Sequence, residues 1–238
     1  MIEPEPGSSD KKCLKDGVVL KDVGGINYTV KDGKIVKYKK WLGDLFSPMY
    51  DSLMEKNVFP KKFGADLNEH EDFLKNLYKG IENENVLELG TGSGNLANLI
   101  SRTNHYTGVD ISPGLLKRAG KKFSENKFEK FGLYICNVYE LPFINDCFDV
   151  CVCNLTLNFF SDLEKVAKEI KRVLKSSGVF YSSVPVKDKI SSDIIIHGYV
   201  KSIKETEKIF SENDFYFEPQ QFENGAIFYF KAVNKKQT

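Results

Sequence analysis

An α/β fold built on a doubly wound, mixed sheet follows from three features of the sequence. From residue 85 onward, short apolar runs of strand length alternate with stretches of helical spacing. The first run, Asn85 to Leu89, flows directly into Gly90-Thr91-Gly92-Ser93-Gly94, a strand-to-helix turn of the Rossmann-like kind. Farther on, FDVCVCN, Phe148 to Asn154, is apolar on both faces, as a central parallel strand between two helical layers must be. Seven strands are expected, the last two antiparallel, with a small N-terminal hairpin and a helical lid ahead of them.

Residues 1–12, with Pro4, Pro6, Gly7, Ser8 and Ser9, read as a flexible tail. Residues 13–80 read as the hairpin and lid, and 81–238 as the core domain. Within the hairpin, Val18 to Leu20, Ile26 to Val30 and Ile35 to Tyr38 have strand character, and Asp32-Gly33 makes the tight turn between the last two. Trp41, Leu42, Leu45, Phe46, Met49, Tyr50, Leu53 and Met54 then follow one helical face, which Pro48 interrupts. A second helix is expected to start at Asn68, capped with Glu71 in a capping box, and to end at Gly80.

Beyond the glycine-rich turn, a short helix is expected from Asn95 to Ser101, then a strand from Tyr106 to Asp110. Ser112 is placed to cap the next helix, with Pro113 in its first turn, where the missing N–H costs nothing. A strand near Phe131 to Asn137 precedes the apolar FDVCVCN run. The following helix, Ser161 to about Lys175, carries a buried stripe of Leu163, Val166, Ala167, Ile170, Val173 and Leu174, and Ser161 with Glu164 reads as its capping box. Strand Val179 to Val184, a helix near Ile203 to Asn213, and strands around Phe215 to Phe222 and Ile227 to Val233 complete the chain. Asn224-Gly225 between the last two implies an antiparallel pair.

Composition limits the function classes. The 238 residues carry 34 Lys+Arg against 33 Asp+Glu, so a net charge of +1 provides no global field toward nucleic acid or acidic membranes. No apolar run approaches the roughly 20 residues needed to cross hydrocarbon, and MIEPEPGSSDKK lacks a signal-peptide core, so a cytoplasmic protein without a membrane span is expected. The five cysteines contain no C-x-x-C pair, and four fall between residues 136 and 153 among apolar neighbours. Reduced thiols filling a core are expected there, and no metal site.

The glycine-rich turn permits close approach of a ligand, and Asp110 ends the next strand about 20 residues on, where a carboxylate can accept from both ribose hydroxyls. An adenosine-containing ligand is implied. The turn is not the dinucleotide pattern, which would place glycine at Asn95, nor a P-loop, because no G-K-[ST] follows.

The segments LELGTGSGNL, GVDISPGLLKRA, NVYELPFINDCFDV and VAKEIKRVLKSSGVF together resemble the successive motifs of class I S-adenosylmethionine-dependent methyltransferases, particularly the ubiquinone and menaquinone biosynthesis branch. The resemblance covers about Asn85 to Pro185 and implies S-adenosyl-L-methionine as cofactor, with S-adenosyl-L-homocysteine as product. It assigns Glu88, Gly90, Thr91, Gly92 and Gly94 to the methionine end, Asp110 to the ribose, and Ile111 and Val138 to the surroundings of the adenine. Asn137 stands where the family usually has Asp; its amide oxygen can accept from the adenine amino group but lacks the charge, so that contact is weaker. Asn154 and Leu155 are assigned to the floor near the transferred methyl, Asn154 having strand capping as its other reading.

For the acceptor side, Phe46, Tyr50 and Asp51 resemble the family's F-x-x-x-Y-D lid, and Tyr50 is a candidate contact to the methionine carboxylate or the acceptor. His197, in the variable stretch after the fifth core strand, is the histidine best placed to take a proton; His70 lies in a charged helix and His105 precedes a strand. Leu155-Thr156-Leu157 departs from the N-P-P-Y run of amino-methylating nucleic-acid enzymes. The expected partner is therefore a small-molecule acceptor, apolar or aromatic in the quinone-precursor case, with the methylated atom open. Two alternatives remain: a methyltransferase for protein or RNA, docking through Lys37, Lys39, Lys40, Lys61 and Lys62, and a non-catalytic cofactor binder. Monomer and homodimer are both compatible with the sequence.

Overall fold

A computed structural model describes residues 13–38, 49–189 and 198–235. The expected tail 1–12, the lid residues Trp41, Phe46 and Pro48, and His197 lie outside the described residues. Three short strands come first: β1 (Val19–Asp22), β2 (Asn27–Lys31) and β3 (Lys34–Ile35). A short helix α1 (Tyr50–Leu53) continues as a π-helical stretch, Met54–Phe63, in which Pro60 supplies no N–H, and α2 (Leu67–Leu77) follows. The core runs β4 (Asn85–Leu89), β5 (His105–Asp110), α3 (Pro113–Glu125), β6 (Phe131–Ile135), β7 (Phe148–Asn154), α4 (Leu163–Val173), β8 (Leu174–Pro185), α5 (Ile203–Glu212), β9 (Phe215–Asn224) and β10 (Ile227–Asn234).

The strand order is β1-β2-β6-β5-β4-β7-β8-β10-β9, with β3 paired to β2. Strands β6, β5, β4, β7 and β8 are mutually parallel, and β10 enters antiparallel between β8 and β9. The mixed sheet and the antiparallel C-terminal pair agree with the sequence reading, but among the described residues the sheet has ten strands rather than seven. The three additional strands are those of the N-terminal hairpin, because β2 docks in parallel on the open edge of β6 through Asn27↔Tyr134 and Tyr28↔Ile135. The Asn27 and Thr29 side chains add bonds to the Leu133 and Ile135 carbonyls. An edge strand with unpaired backbone groups is a template for such addition.

Alternation along the central strands builds two apolar layers. Val86 of β4 with Val150 and Val152 of β7 faces Leu74 of α2 and Leu116, Ala119 and Phe123 of α3. Leu87, Leu89, Cys151 and Cys153 face Val166 and Ile170 of α4 and Phe210 of α5. The period of two along each strand thus places helices on both sheet faces.

Carboxylates and hydroxyls share the helix starts, with Ser202 capping α5 in a capping box with Glu205. Ser112 does cap α3, accepting from the Leu115 N–H at 3.2 Å. For α2, however, Asp66 rather than Asn68 is the cap, accepting from Asn68 and Glu69 N–H, and for α4 Asp162 displaces Ser161 and accepts from Lys165 N–H. A negative charge at a helix N-terminus bonds more strongly than a neutral side chain. The Ser161 hydroxyl instead meets the Tyr139 hydroxyl at 3.1 Å.

Cys136, Cys151 and Cys153 are free and buried, as expected of core thiols. Cys13 and Cys147 depart from that reading: they are joined as a disulfide, which ties the start of the hairpin segment to the start of β7. Among the described residues no helix is long and apolar enough to cross a membrane, and no cluster of three or more His, Cys, Asp or Glu side chains could hold a metal.

Candidate active site

Because β4 to β7 run in parallel, their C-terminal ends meet at one edge of the sheet, and the chain reverses there after Leu89, Asp110, Ile135 and Asn154. Gly94 starts the reversal into the next helical turn, and a Cβ there would stand 2.6 Å from the Ala119 Cα, so the close approach of α3 demands glycine. Asp110 fastens the same turn: its Oδ2 accepts from the Gly92 N–H at 2.8 Å and its Oδ1 from the Ser112 N–H at 2.9 Å.

Two connected lobes open on this edge. The first, of about 450 Å³, is lined by Asp110, Ile111, Asn137, Val138, Leu155 and an aromatic wall of Tyr38, Tyr139, Phe159 and Phe160. Asn137 Oδ1 already accepts from the Tyr139 N–H at 3.1 Å, which fixes the amide and leaves the oxygen's second lone pair. Leu155 holds a left-handed φ of 51°, a strained conformation for a branched side chain and one that concentrates at functional sites. Tyr38 comes from the N-terminal segment; its hydroxyl lies against the Thr29 side chain and the Asn137 backbone, and burial raises its pKa.

The second lobe, of about 210 Å³, shares Tyr50, Gly90, Gly92, Leu155 and Thr156 with the first and adds Glu88, Thr91, Asn154 and His70. Glu88 is 5% exposed. Burial pushes its carboxyl up to about 8 despite the opposing hydrogen bond from the Tyr106 hydroxyl. Tyr50 is pushed up to about 12 by burial and then by the Asp110 and Asp51 charges. At Asn154, two hydroxyls converge on Oδ1, Tyr78 at 3.1 Å and Ser183 at 3.2 Å, so the amide nitrogen is the end left for the lobe.

Asp51 anchors α1 over this edge. It pairs with Arg118 at 2.6 Å and Lys122 at 3.0 Å, both on α3, and accepts from the Ser93 hydroxyl of the glycine-rich turn at 2.5 Å. Burial raises its carboxyl, but the Ser93, Lys122 and Arg118 contacts outweigh that and hold it below the usual carboxylate range.

The structure therefore gathers Tyr50, Glu88, Gly90, Thr91, Gly92, Asp110, Ile111, Asn137, Val138, Asn154 and Leu155 around the two lobes. Gly94 lies beneath them, packed on α3. Sequence reasoning did not single out Tyr38, Tyr139, Phe159 or Phe160, and it set His70 aside. Only His70 had a usable signal, since with Leu74 and Tyr78 it follows the i, i+4, i+8 spacing of a buried helical face.

Residues 81–231 match the model of a methyltransferase domain. The chain belongs to the methyltransferase domain family. As a member it carries a class I S-adenosylmethionine-dependent methyltransferase domain. It is 30% identical to rat arsenite methyltransferase over 152 residues, covering 55% of this chain and 41% of that protein, so it spans well under half of that relative's length. It is 29% identical over 175 residues to the demethylmenaquinone methyltransferase of Thermotoga maritima, covering 71% of this chain and 72% of that protein. These near-equal identities do not separate one branch of the family from another. The fold is also that of a chain in the Haloferax volcanii complex between the Trm112 methyltransferase activator and a methyltransferase, with a TM-score of 0.67, 17% identity, and coverage of 84% of this chain and all of that one.

The donor set suits the family's cofactor. The first lobe presents a carboxylate and an amide beside apolar walls, as a ribose and an adenine require, and the second presents an acid and an amide N–H, as an amino-acid end requires. A Cβ at Gly92 would meet nothing nearer than the Gly90 carbonyl at 3.9 Å, so the absent side chain leaves the junction of the lobes open.

Proposed function

We propose that this domain transfers the methyl of S-adenosylmethionine to a small apolar or aromatic acceptor. The cofactor supplies an electrophilic methyl on its sulfonium. Asp110 and Asn137 hold the ribose and adenine between Ile111 and Val138, Glu88 receives the ammonium as it releases the proton that burial holds on it in the unliganded chain, and Asn154 and Leu155 form the floor beneath the methyl. Tyr50, shared by both lobes, orients the reactants and helps to exclude water. Positioning of this kind is worth about 7–11 kcal/mol without any acid or base.

The aromatic wall of Tyr38, Tyr139, Phe159 and Phe160, which shares the first lobe with Asp110 and Asn137, carries the acceptor reading, because such rings bind planar apolar molecules by stacking and edge contacts. The match to the Thermotoga demethylmenaquinone enzyme, which spans most of both chains, supports an acceptor of the quinol kind. The cysteines lend little to an arsenite acceptor: arsenic(III) is soft and is held by sets of thiols, and of the free cysteines only Cys136 lines either lobe.

The test is turnover of methyl-labelled S-adenosylmethionine over a panel of quinols, phenols, arsenite with thiol, protein and RNA. Label entering an aromatic small molecule is expected. Label entering only protein or RNA would overturn the acceptor class, and cofactor binding without transfer to any acceptor would leave a binding protein.

A further inference from the structure

His70 is the buried titratable group of the second lobe that the proposed chemistry leaves unused. It is 5% exposed on α2, packed against the rings of Phe59 and Tyr229. Its Nδ1 lies 2.7 Å from the Tyr229 hydroxyl. That hydroxyl is in turn faced by the side chain of Asn224, whose influence opposes the rise that burial imposes on Tyr229. Asn224 is itself fixed at both ends: Oδ1 accepts from the Asp66 N–H at 2.8 Å, and Nδ2 donates to the Asp66 carbonyl at 2.7 Å. Among the described residues the one hydrogen bond of the Tyr229 hydroxyl is to His70, and a buried phenol that donates there directs its proton at Nδ1.

A ring that accepts at Nδ1 carries its proton on Nε2. His70 Nε2 has no hydrogen-bond partner among the described residues and is not a sealed buried atom, while the residue lines the second lobe. Burial lowers the imidazole to about 4, so the ring is neutral around pH 7 and donates without adding charge. Beside it, Asn154 offers its amide N–H to the same lobe.

We infer that His70, held as the Nε2–H tautomer by the Tyr229 hydroxyl, donates to the carboxylate at the amino-acid end of the cofactor. The inference rests on the cofactor reading above. The lobes meet at Gly90, Gly92, Leu155 and Thr156, so a nucleoside held by Asp110 in the first lobe extends its amino-acid end into the second. There Glu88 suits the ammonium, and the two N–H donors suit the carboxylate. Tyr229 acts through His70 as a positioning residue.

Calorimetry on the full chain with S-adenosylhomocysteine and with 5′-methylthioadenosine, which lacks the amino-acid end, tests this. His70→Phe is expected to weaken S-adenosylhomocysteine about ten- to a hundredfold, the range of a hydrogen bond to a charged group, and to leave methylthioadenosine unchanged. His70→Gln, which keeps an N–H donor, should recover part of the loss, and Tyr229→Phe should show a smaller loss confined to the same ligand. Loss of both ligands alike, or of neither, overturns the role of His70. A wild-type chain that binds neither ligand overturns the cofactor reading instead. Nitrogen-15 NMR of the wild-type imidazole, expected to show Nε2 protonated, needs no variant to fold; the Nδ1–H tautomer would sink the inference.

Discussion

Asp110 accepts from the Gly92 N–H through Oδ2 at 2.8 Å while its Oδ1 accepts from the Ser112 N–H at 2.9 Å, so one carboxylate locks the glycine-rich turn to the start of α3. The same group that would grip a ribose thereby holds the loop around it. Asp110→Ala is expected to lower S-adenosylhomocysteine affinity at least tenfold, an order set by charge-assisted hydrogen bonds, and to speed amide exchange at Gly90 to Gly94. Calorimetry and hydrogen exchange check the two parts. Unchanged affinity with faster exchange would leave Asp110 a purely structural role.

Asp51→Ala should detach α1 from α3 and from the Ser93 hydroxyl. The carboxylate is about a third exposed, so the expected cost to stability is small, under about 1 kcal/mol. The effect belongs in binding: cofactor affinity several-fold weaker, with the salt dependence of the wild type reduced. The folded Asp51 carboxyl is held below the usual carboxylate range, so its contribution is present at neutral pH and is lost as pH falls through that depressed value. Titrations at two salt concentrations and at pH 7 and pH 3 check this.

Glu88 makes the opposite pH signature. Burial, only partly offset by Tyr106, raises it from 4.5 to about 8, so the folded chain keeps a proton that the unfolded chain releases. Stability therefore falls as pH rises between those two values, at ~1.36 kcal/mol per pH unit and by up to about 5 kcal/mol in all. Glu88→Gln should flatten this slope in denaturant melts without ligand. An identical slope in the variant would remove Glu88 as its source.

Tyr38→Ala should open the first lobe without touching the second. Both S-adenosylhomocysteine and methylthioadenosine are expected to weaken by a similar factor, unlike the selective loss expected at His70. Affinities that do not change would place Tyr38 outside the ligand's reach.

Thiol titration of the denatured, unreduced chain should count three free cysteines out of five. Replacing Cys13 and Cys147 with Ser is expected to lower stability by about 4–5 kcal/mol in the loop-closure picture, because the bridge spans 134 residues. Five titrating thiols would refute the bridge.

Much of the central sheet was legible because each strand is bounded by local chemistry. Asn85 to Leu89 is found at its expected limits, and Ser112 caps its helix as read. The docking of β2 on β6 was not legible, since it rests on two residue pairs with no local periodicity to announce them. Helix caps slipped where an aspartate competed with a nearby Ser or Asn. At the site, Asp110 was visible through its spacing from the glycines, whereas Tyr38 reaches the lobe only because β2 joins the sheet edge. His70 was hidden by the charged residues around it, although its spacing to Leu74 marked a buried face.

The addition of β2 to β6 also bears on how the chain is made. Asn27 emerges from the ribosome more than a hundred residues before its partner Tyr134, and Cys13 waits still longer for Cys147. Contacts so distant in sequence close late. Strands β1 to β3 can pair with one another as soon as they are made, but β2 is expected to stay undocked until Tyr134 and Ile135 have followed it, the interval in which assistance from chaperones would matter most.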